Sequence, residues 1–261
     1  MTRSRVFHPH AVTFDCWATL LFQTGAGLGR DARAQKLAEL VGVQATEATE
    51  AVNEAWRRHQ LCWHRRQVFG ASDIVARALA TLGVEASAGR VMEIVKALEP
   101  IALAQDVRMV PGAREALLVL ARAGVRRALI CDTGFSSGQV VRRLLERHGL
   151  LELLETTVFS DEVGVPKPHP RAFLAALGEL GVQANEAVHV GDLKRSDVAG
   201  ARGVGMGSVR LTAHHDDRGS GAGAGVVDCT VAGCTPPCDR PEADVIVGSY
   251  PELLQILGYA P

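Results

Sequence analysis

From residue 106 onward, short apolar runs rich in β-branched residues alternate with longer amphipathic stretches. "RALIC", "TTVFS", "AVHV", "GSVRL" and "DVIV" have the length and make-up of buried strands. Residues 114–123, 137–148, 170–180 and 195–201 repeat their apolar residues at helical spacing instead. Strands that are apolar on both faces, each followed by a helix, specify a parallel sheet covered on both sides, so the fold class is α/β.

One more strand-like run, "AVTF" at 11–14, stands apart from the others and ends abruptly at Asp15. A loop-like Cys16-Trp17-Ala18-Thr19 follows before the chain turns apolar again. Between residues 23 and 105 the pattern changes. Leu37, Leu40, Val52, Trp56, Ile74, Leu79, Val91, Ile94 and Leu98 keep helical spacing, and no strand is evident. The expectation is a discontinuous core, 1–22 and 108–261, interrupted by a helical cap at 23–107. A chain of 261 residues is long enough to bury both. Residues 216–244, rich in Gly, Pro and Ser, read as a flexible excursion.

Charge narrows the partners. Lys+Arg 28 against Asp+Glu 29 leaves a formal charge of -1, so no overall field draws the molecule to nucleic acid or a membrane surface. No apolar run approaches the roughly 20 residues of a spanning helix, and the first residues lack an apolar leader core. The expected partner is a small anionic substrate, met by a cytoplasmic monomer or homodimer. The six cysteines do not form a disulfide framework. Cys229, Cys234 and Cys238, with His214 and His215 upstream, could bind zinc, but their spacing matches no established pattern and they read as an incidental loop. "AWRRHQLCWHRR", 55–66, reads as a helix with a basic face that could meet an anionic substrate.

Ligands of open parallel sheets bind outside the carboxyl ends of the strands. Those ends carry Asp15 and Thr19; then Cys131, Asp132 and Thr133; then Lys167 in "VGVPKPHP"; then Asp192 and Asp197 in "HVGDLKRSD". A hard divalent cation such as Mg²⁺ takes oxygen from one or two carboxylates and keeps waters and substrate phosphate for the rest. Asp15 and Asp192 suit it. A lysine beside them would hold a phosphoryl oxygen and favour the ionised carboxylate that a nucleophile needs.

This order of motifs resembles the haloacid dehalogenase superfamily, whose members are mostly Mg²⁺-dependent phosphohydrolases that work through an aspartyl-phosphate. The resemblance covers a Rossmann-like core at 12–21 and 109–257. It implies that Asp15 in "FDCWATL" is the nucleophile, Thr19 the threonine of the same motif, Lys167 the motif lysine, and Asp192 and Asp197 the metal-site acids. "VPGAREALLVLARAG", 110–124, resembles the helix before the superfamily's second motif.

Two departures from the pattern matter. Phosphatases of the superfamily carry a second aspartate two residues after the nucleophile, where it protonates the leaving group; here that residue is Trp17, whose indole cannot transfer that proton. The Trp17 carbonyl can still face a metal, and its ring can pack or form a substrate wall. Cys131 stands where a serine or threonine usually holds the transferred group, a role open to Thr133 or to backbone N–H groups. The reading is therefore a phosphohydrolase suited to leaving groups that depart unaided, with two rivals. One is a 2-haloacid dehalogenase, whose relatives place an aromatic residue two after the nucleophile and use no metal. The other is a non-catalytic phosphate-binding or regulatory protein.

Overall fold

The computed structural model of the protein describes residues 7–25, 28–217 and 242–259. Six parallel strands form one sheet: β1 (Ala11–Phe14), β4 (Arg126–Cys131), β5 (Thr156–Phe159), β6 (Ala187–Gly191), β7 (Gly207–Leu211) and β8 (Val245–Val247), in the order β5-β4-β1-β6-β7-β8. Strand β1 is central, with Phe14 in register with Leu129 on one side and Val190 on the other. The chain leaves β1 for the edge, returns, and then builds the opposite half. The carboxyl ends of β1, β4 and β6 therefore meet at the point where the winding reverses, which is where such sheets open a crevice.

Alternate side chains of each strand feed opposite faces, as the pleat requires. On one face, Val12, Phe14, Leu129 and Val190 pack with α5 (Ala113–Arg122), α6 (Gly138–Arg147) and α10 (Tyr250–Ile256). On the other, Ala11, Ala128, Ile130 and Val158 meet α8 (Pro170–Leu180) and α9 (Ala199–Val204), with Phe173 and Leu180 filling the gap. A short helix, α7 (Ser160–Val163), follows β5.

Residues 28–104 make a second layer. Helices α1 (Leu28–Val41), α2 (Ala45–His64), α3 (Ala71–Thr81) and α4 (Ala88–Ala104) bury Leu37, Val52, Ile74, Leu79, Val91, Ile94 and Leu98 against one another in a separate apolar cluster. These are residues picked out by the helical spacing. A two-stranded antiparallel ribbon, β2 (Leu21–Gln23) with β3 (Val107–Met109), carries the chain out to this layer and back. Sequence periodicity does not reveal the ribbon, because three residues are too few to establish a period. The helix expected at 195–201 is a wide turn over Lys194–Val198 followed by α9. Among the described residues, no helix is long and apolar enough to cross a membrane. Cys229, Cys234 and Cys238 lie outside the described residues.

Candidate active site

Asp15 leaves β1 at the switch point. Its N–H donates to the Val190 carbonyl at 2.8 Å, so the main chain of β6 fixes where the carboxyl starts. The next residues close into a tight loop. The amides of Leu20 and Leu21 both donate to the Cys16 carbonyl, and Ala18 takes φ 62 to donate to the Leu21 carbonyl at 2.7 Å. The Tyr250 hydroxyl donates to the Thr19 carbonyl at 2.7 Å and pins this loop from α10. The hydroxyl of Thr19 is fully buried and has no hydrogen-bond partner. A buried hydroxyl without a partner is costly, and this one lies on the loop that carries Asp15.

Lys167, 2% exposed, reaches the same point from the loop before α8. Its ammonium lies 2.5 Å from Asp15 Oδ1 and 2.7 Å from Asp197 Oδ1. Asp197 is folded back by its own turn, its Oδ2 accepting from the Leu193 amide at 2.9 Å. That return requires glycine at 191, because a Cβ there would lie 2.4 Å from the Asp197 side chain. His189 stands behind, with Nε2 at 3.3 Å from Asp197 Oδ1 and Nδ1 at 2.7 Å from the Thr13 hydroxyl. Burial lowers the His189 pKa, against the pull of Asp197, which favours the neutral ring. A carboxylate only accepts, which places the proton on Nε2 and makes Thr13 the donor to Nδ1.

Burial lifts the Asp15 carboxyl well above its usual range; Lys167 opposes the rise while Asp197 and Asp192 add to it. Burial works against the Lys167 charge too, but Asp15, Asp197 and Asp132 outweigh it and hold the ammonium well above the usual lysine value. Burial also pushes Asp197 upward, yet Lys167 and His189 overcome this and hold it below the usual carboxylate range. The directions make one picture. A single ammonium cannot satisfy every neighbouring acid, and Asp15 carries the uncompensated part.

Asp192 closes the group. Burial raises its pKa, opposed by His215, whose Nδ1 lies 2.6 Å from Oδ2. Asp15, Asp192 and Asp197 each bring a ligand oxygen within 4.8 Å of the others. Three buried carboxylates, two of them on one lysine and two of them with raised pKa, fit a hard divalent cation through oxygen ligands and would be relieved by it.

The third wall comes from β4. Asp132 Oδ1 accepts from the Lys167 amide at 2.9 Å and Oδ2 from the Trp63 indole of α2 at 2.7 Å. The Thr133 amide and hydroxyl both contact the Ser160 hydroxyl, at 2.9 and 3.0 Å. Cys131 lies beneath, buried against Cys16, and that contact together with burial raises its thiol pKa well above the usual value. Trp17 is half-buried and packs on the core cluster.

The structure brings Asp15, Lys167, Asp132, Asp192 and Asp197 to one edge of the sheet, where the sequence reading groups them, and adds three neighbours that this grouping does not include. His189 hides within an apolar strand pattern. His215 is offered to zinc with distant cysteines, whereas the structure sets it on Asp192; the signal for this is its place just past β7, a strand that neighbours β6. On α2 the side facing the site loop is aromatic, not basic: Trp56, His59 and Trp63 meet residues 132–135, while Arg57, Arg58, Arg65 and Arg66 are exposed.

Comparison with known proteins gives a consistent family. The model for haloacid dehalogenase-like hydrolases matches residues 9–205. Glyceraldehyde 3-phosphate phosphatase of Pyrococcus abyssi is 40% identical over 105 residues, which is 40% of this chain and 42% of that protein, so the match spans less than half of the relative. Among solved structures, a HAD phosphatase from Thermococcus onnurineus superposes with a TM-score of 0.62 at 23% identity, covering 96% of this chain and 98% of the other. A 2-haloacid dehalogenase from Pseudomonas syringae superposes with a TM-score of 0.64 at 21% identity, covering 95% and 97%. At such identities the two structures share the fold with this chain and do not separate the two chemistries.

Proposed function

The chain belongs to the haloacid dehalogenase-like hydrolase family, and from that starting point we propose that it is a Mg²⁺-dependent phosphohydrolase acting on a small anionic metabolite through an aspartyl-phosphate on Asp15. The observation that carries this reading is the cluster at the switch point: a strand-end acid 2.5 Å from a buried lysine, with two further buried acids within ligand distance. The phosphatase relative, alike over part of its length, supports the same class of reaction.

The chain's own groups have defined tasks. The Asp15 carboxylate attacks phosphorus and the leaving oxygen departs, forming an acyl phosphate that water then hydrolyses. Lys167 orients the phosphoryl oxygens and favours the ionised Asp15; His189 and the Leu193 amide hold Asp197 in place beside it. The free hydroxyl of Thr19, Thr133 and the neighbouring backbone amides of the β4 loop are the donors available to the transferred group. Asp15, Asp192, Asp197 and the Trp17 carbonyl would hold the Mg²⁺, whose charge would offset that building up on the phosphoryl oxygens. The helical layer, 23–107, acts as a cap that excludes bulk water while Asp15 attacks and opens to admit the water that hydrolyses the acyl phosphate. Trp17 gives no proton, so the enzyme suits leaving groups of low pKa, such as acyl or aryl phosphates.

Trp17 also favours a second reading, 2-haloacid dehalogenation, since halide departs without a proton. The three clustered acids weigh against it, because that chemistry needs no cation. Hydrolysis across phosphate esters, acyl phosphates and haloacids, with and without Mg²⁺, separates the readings. Phosphoryl turnover abolished by chelator, together with weakened Mg²⁺ binding in Asp192→Asn by calorimetry, is expected. Undiminished phosphoryl turnover in chelator would overturn the Mg²⁺ dependence, and turnover of haloacids alone would replace this reading with the second. A folded protein that binds phosphate and turns over none of the panel would make it a binding protein.

A further inference from the structure

Among the described residues, three cationic side chains of lysine or arginine are buried: Arg33, Lys167 and Arg210. Two of them have their acids. Lys167 lies between Asp15 and Asp197, and Arg210 pairs with Asp216 at 2.6 Å and with Glu242 at 2.8 Å. Arg33, on α1 and 7% exposed, has none within ion-pair distance among the described residues. Its guanidinium makes one hydrogen bond, from Nη1 to the Gly29 carbonyl at 3.0 Å. Burial pulls its pKa down to about 10, with no acid opposing the shift, and it is still charged at neutral pH.

The position of this cation is as informative as its isolation. Its Cζ lies 5.0 Å from the centroid of the Phe135 ring, three residues past Asp132 on the loop that leaves β4 beside the site. The Phe135 ring stacks on Trp56 of α2, with centroids 5.3 Å apart and planes 8° from parallel. One residue earlier, a Cβ on Gly134 would come within 3.1 Å of His59 and 3.2 Å of Trp56, so helix and loop are in close contact here. A cation over an aromatic face recovers only part of what burying a guanidinium without an acid costs. A guanidinium held in that state recognises planar or tetrahedral oxyanions through paired N–H donors.

We infer that Arg33 receives a second anionic group of the substrate, a carboxylate or a second phosphoryl group, at the end away from the phosphoryl group that is transferred. The inference deepens the phosphohydrolase reading and rests on it. It narrows the substrate class to small phosphate esters or acyl phosphates with anions at both ends. It also assigns discrimination to Arg33 of α1, which faces the site loop across Phe135, and not to the exposed arginines of α2.

The test compares the native protein with Arg33→Met on substrates matched in length. Ethyl phosphate is set against 2-phosphoglycolate for the carboxylate, and propyl phosphate against propane-1,3-diol bisphosphate for the second phosphoryl group. Native kcat/KM should favour the doubly anionic member of at least one pair, and which pair it is identifies the anion. In Arg33→Met that preference should fall by about 30-fold or more, mainly through KM, as expected when one partner of a buried charge pair is removed. Arg33→Lys should recover part of it. Thermal melting of the ligand-free proteins supplies a readout that a packing role would move the other way. Removing an uncompensated buried charge should leave Arg33→Met melting at or above the native temperature. An unchanged preference in Arg33→Met, or a preference lost only together with a large drop in melting temperature in both variants, would make Arg33 a packing residue and overturn the inference. A native protein that turns over phosphoryl compounds without favouring either doubly anionic member overturns the inference alone. One inert on every phosphoryl compound overturns the phosphohydrolase reading as well.

Discussion

The floor and the roof of the site are built on opposite plans. On the floor, at the ends of β1 and β6, charged groups serve several partners each: Lys167 contacts Asp15 and Asp197, and Asp197 also takes His189 and the Leu193 amide. On the roof, formed by α1 and α2, the groups facing the site are the rings of Trp56 and Trp63 with Arg33 nearby, and the polar link to the floor is the indole of Trp63 on Asp132. Coupled charges around a fixed backbone suit chemistry that must not vary. Rings and a cation without an acid suit selection among ligands. Trp17 belongs to the floor by position and to the roof by character.

Converting Trp17 to a floor-type residue tests this division hardest. Trp17→Asp places an acid at the position where phosphatases of the family keep one, and should raise alkyl phosphate hydrolysis within the roughly 10²–10⁴-fold scope of acid catalysis. Since Trp17 is half-buried, the packing loss should be below the about 3–5 kcal/mol of a fully buried aromatic. Rates plotted against leaving-group pKa should be steep in the native protein and flatter in the variant. A flat native plot, with no gain in a folded Trp17→Asp, would mean that a proton donor already exists and that Trp17 only packs.

Next in size is the floor's dependence on its single ammonium. Lys167→Met leaves Asp15 and Asp197 facing each other without a counter-charge, and should destabilise the metal-free protein by roughly 3–5 kcal/mol in chemical denaturation. Added Mg²⁺ should restore part of that loss if the three acids bind it. Near-native stability in Lys167→Met would show that the carboxyls protonate at little cost and that the floor is less coupled than its geometry implies.

How much of this was legible in the sequence depended on whether one residue or a neighbourhood carried the signal. The parallel sheet announces itself through repeated apolar runs, and a strand end followed by an acid can be read at Asp15, Asp132 and Asp192 because strand ends share an edge. That the inserted stretch is helical follows from the spacing of residues such as Leu37, Val52, Ile74 and Leu98, though its division into four helices does not. The roof did not follow, because which side of α2 meets the β4 loop is decided by tertiary packing of Trp56 against Phe135, two residues far apart in the chain. His189 was hidden for a similar reason: within "AVHV" it reads as one polar letter in a buried strand, and its meaning comes from Thr13 and Asp197 on either side of the ring.

A smaller effect is expected where roof meets floor. Trp63→Phe keeps a ring under Arg195 but leaves one oxygen of Asp132 without its indole donor, which should cost about 1.5–3 kcal/mol of stability. The matching change in turnover should appear in KM more than in kcat, because Asp132 still holds the Lys167 amide through its other oxygen. Equal losses in both parameters would place Trp63 in the floor's chemistry and blur the division.

The central claim is that Asp15 is the nucleophile, and it is tested most directly by rapid acid quench of the native protein mixed with an aryl phosphate and Mg²⁺, followed by peptide mass spectrometry. A phosphoryl group on the peptide that contains Asp15, formed and lost at rates consistent with turnover and absent in Asp15→Asn, is the expected result. Steady turnover with no adduct on that peptide, or undiminished turnover in Asp15→Asn, would contradict the claim and leave Asp15 a structural acid held by Lys167.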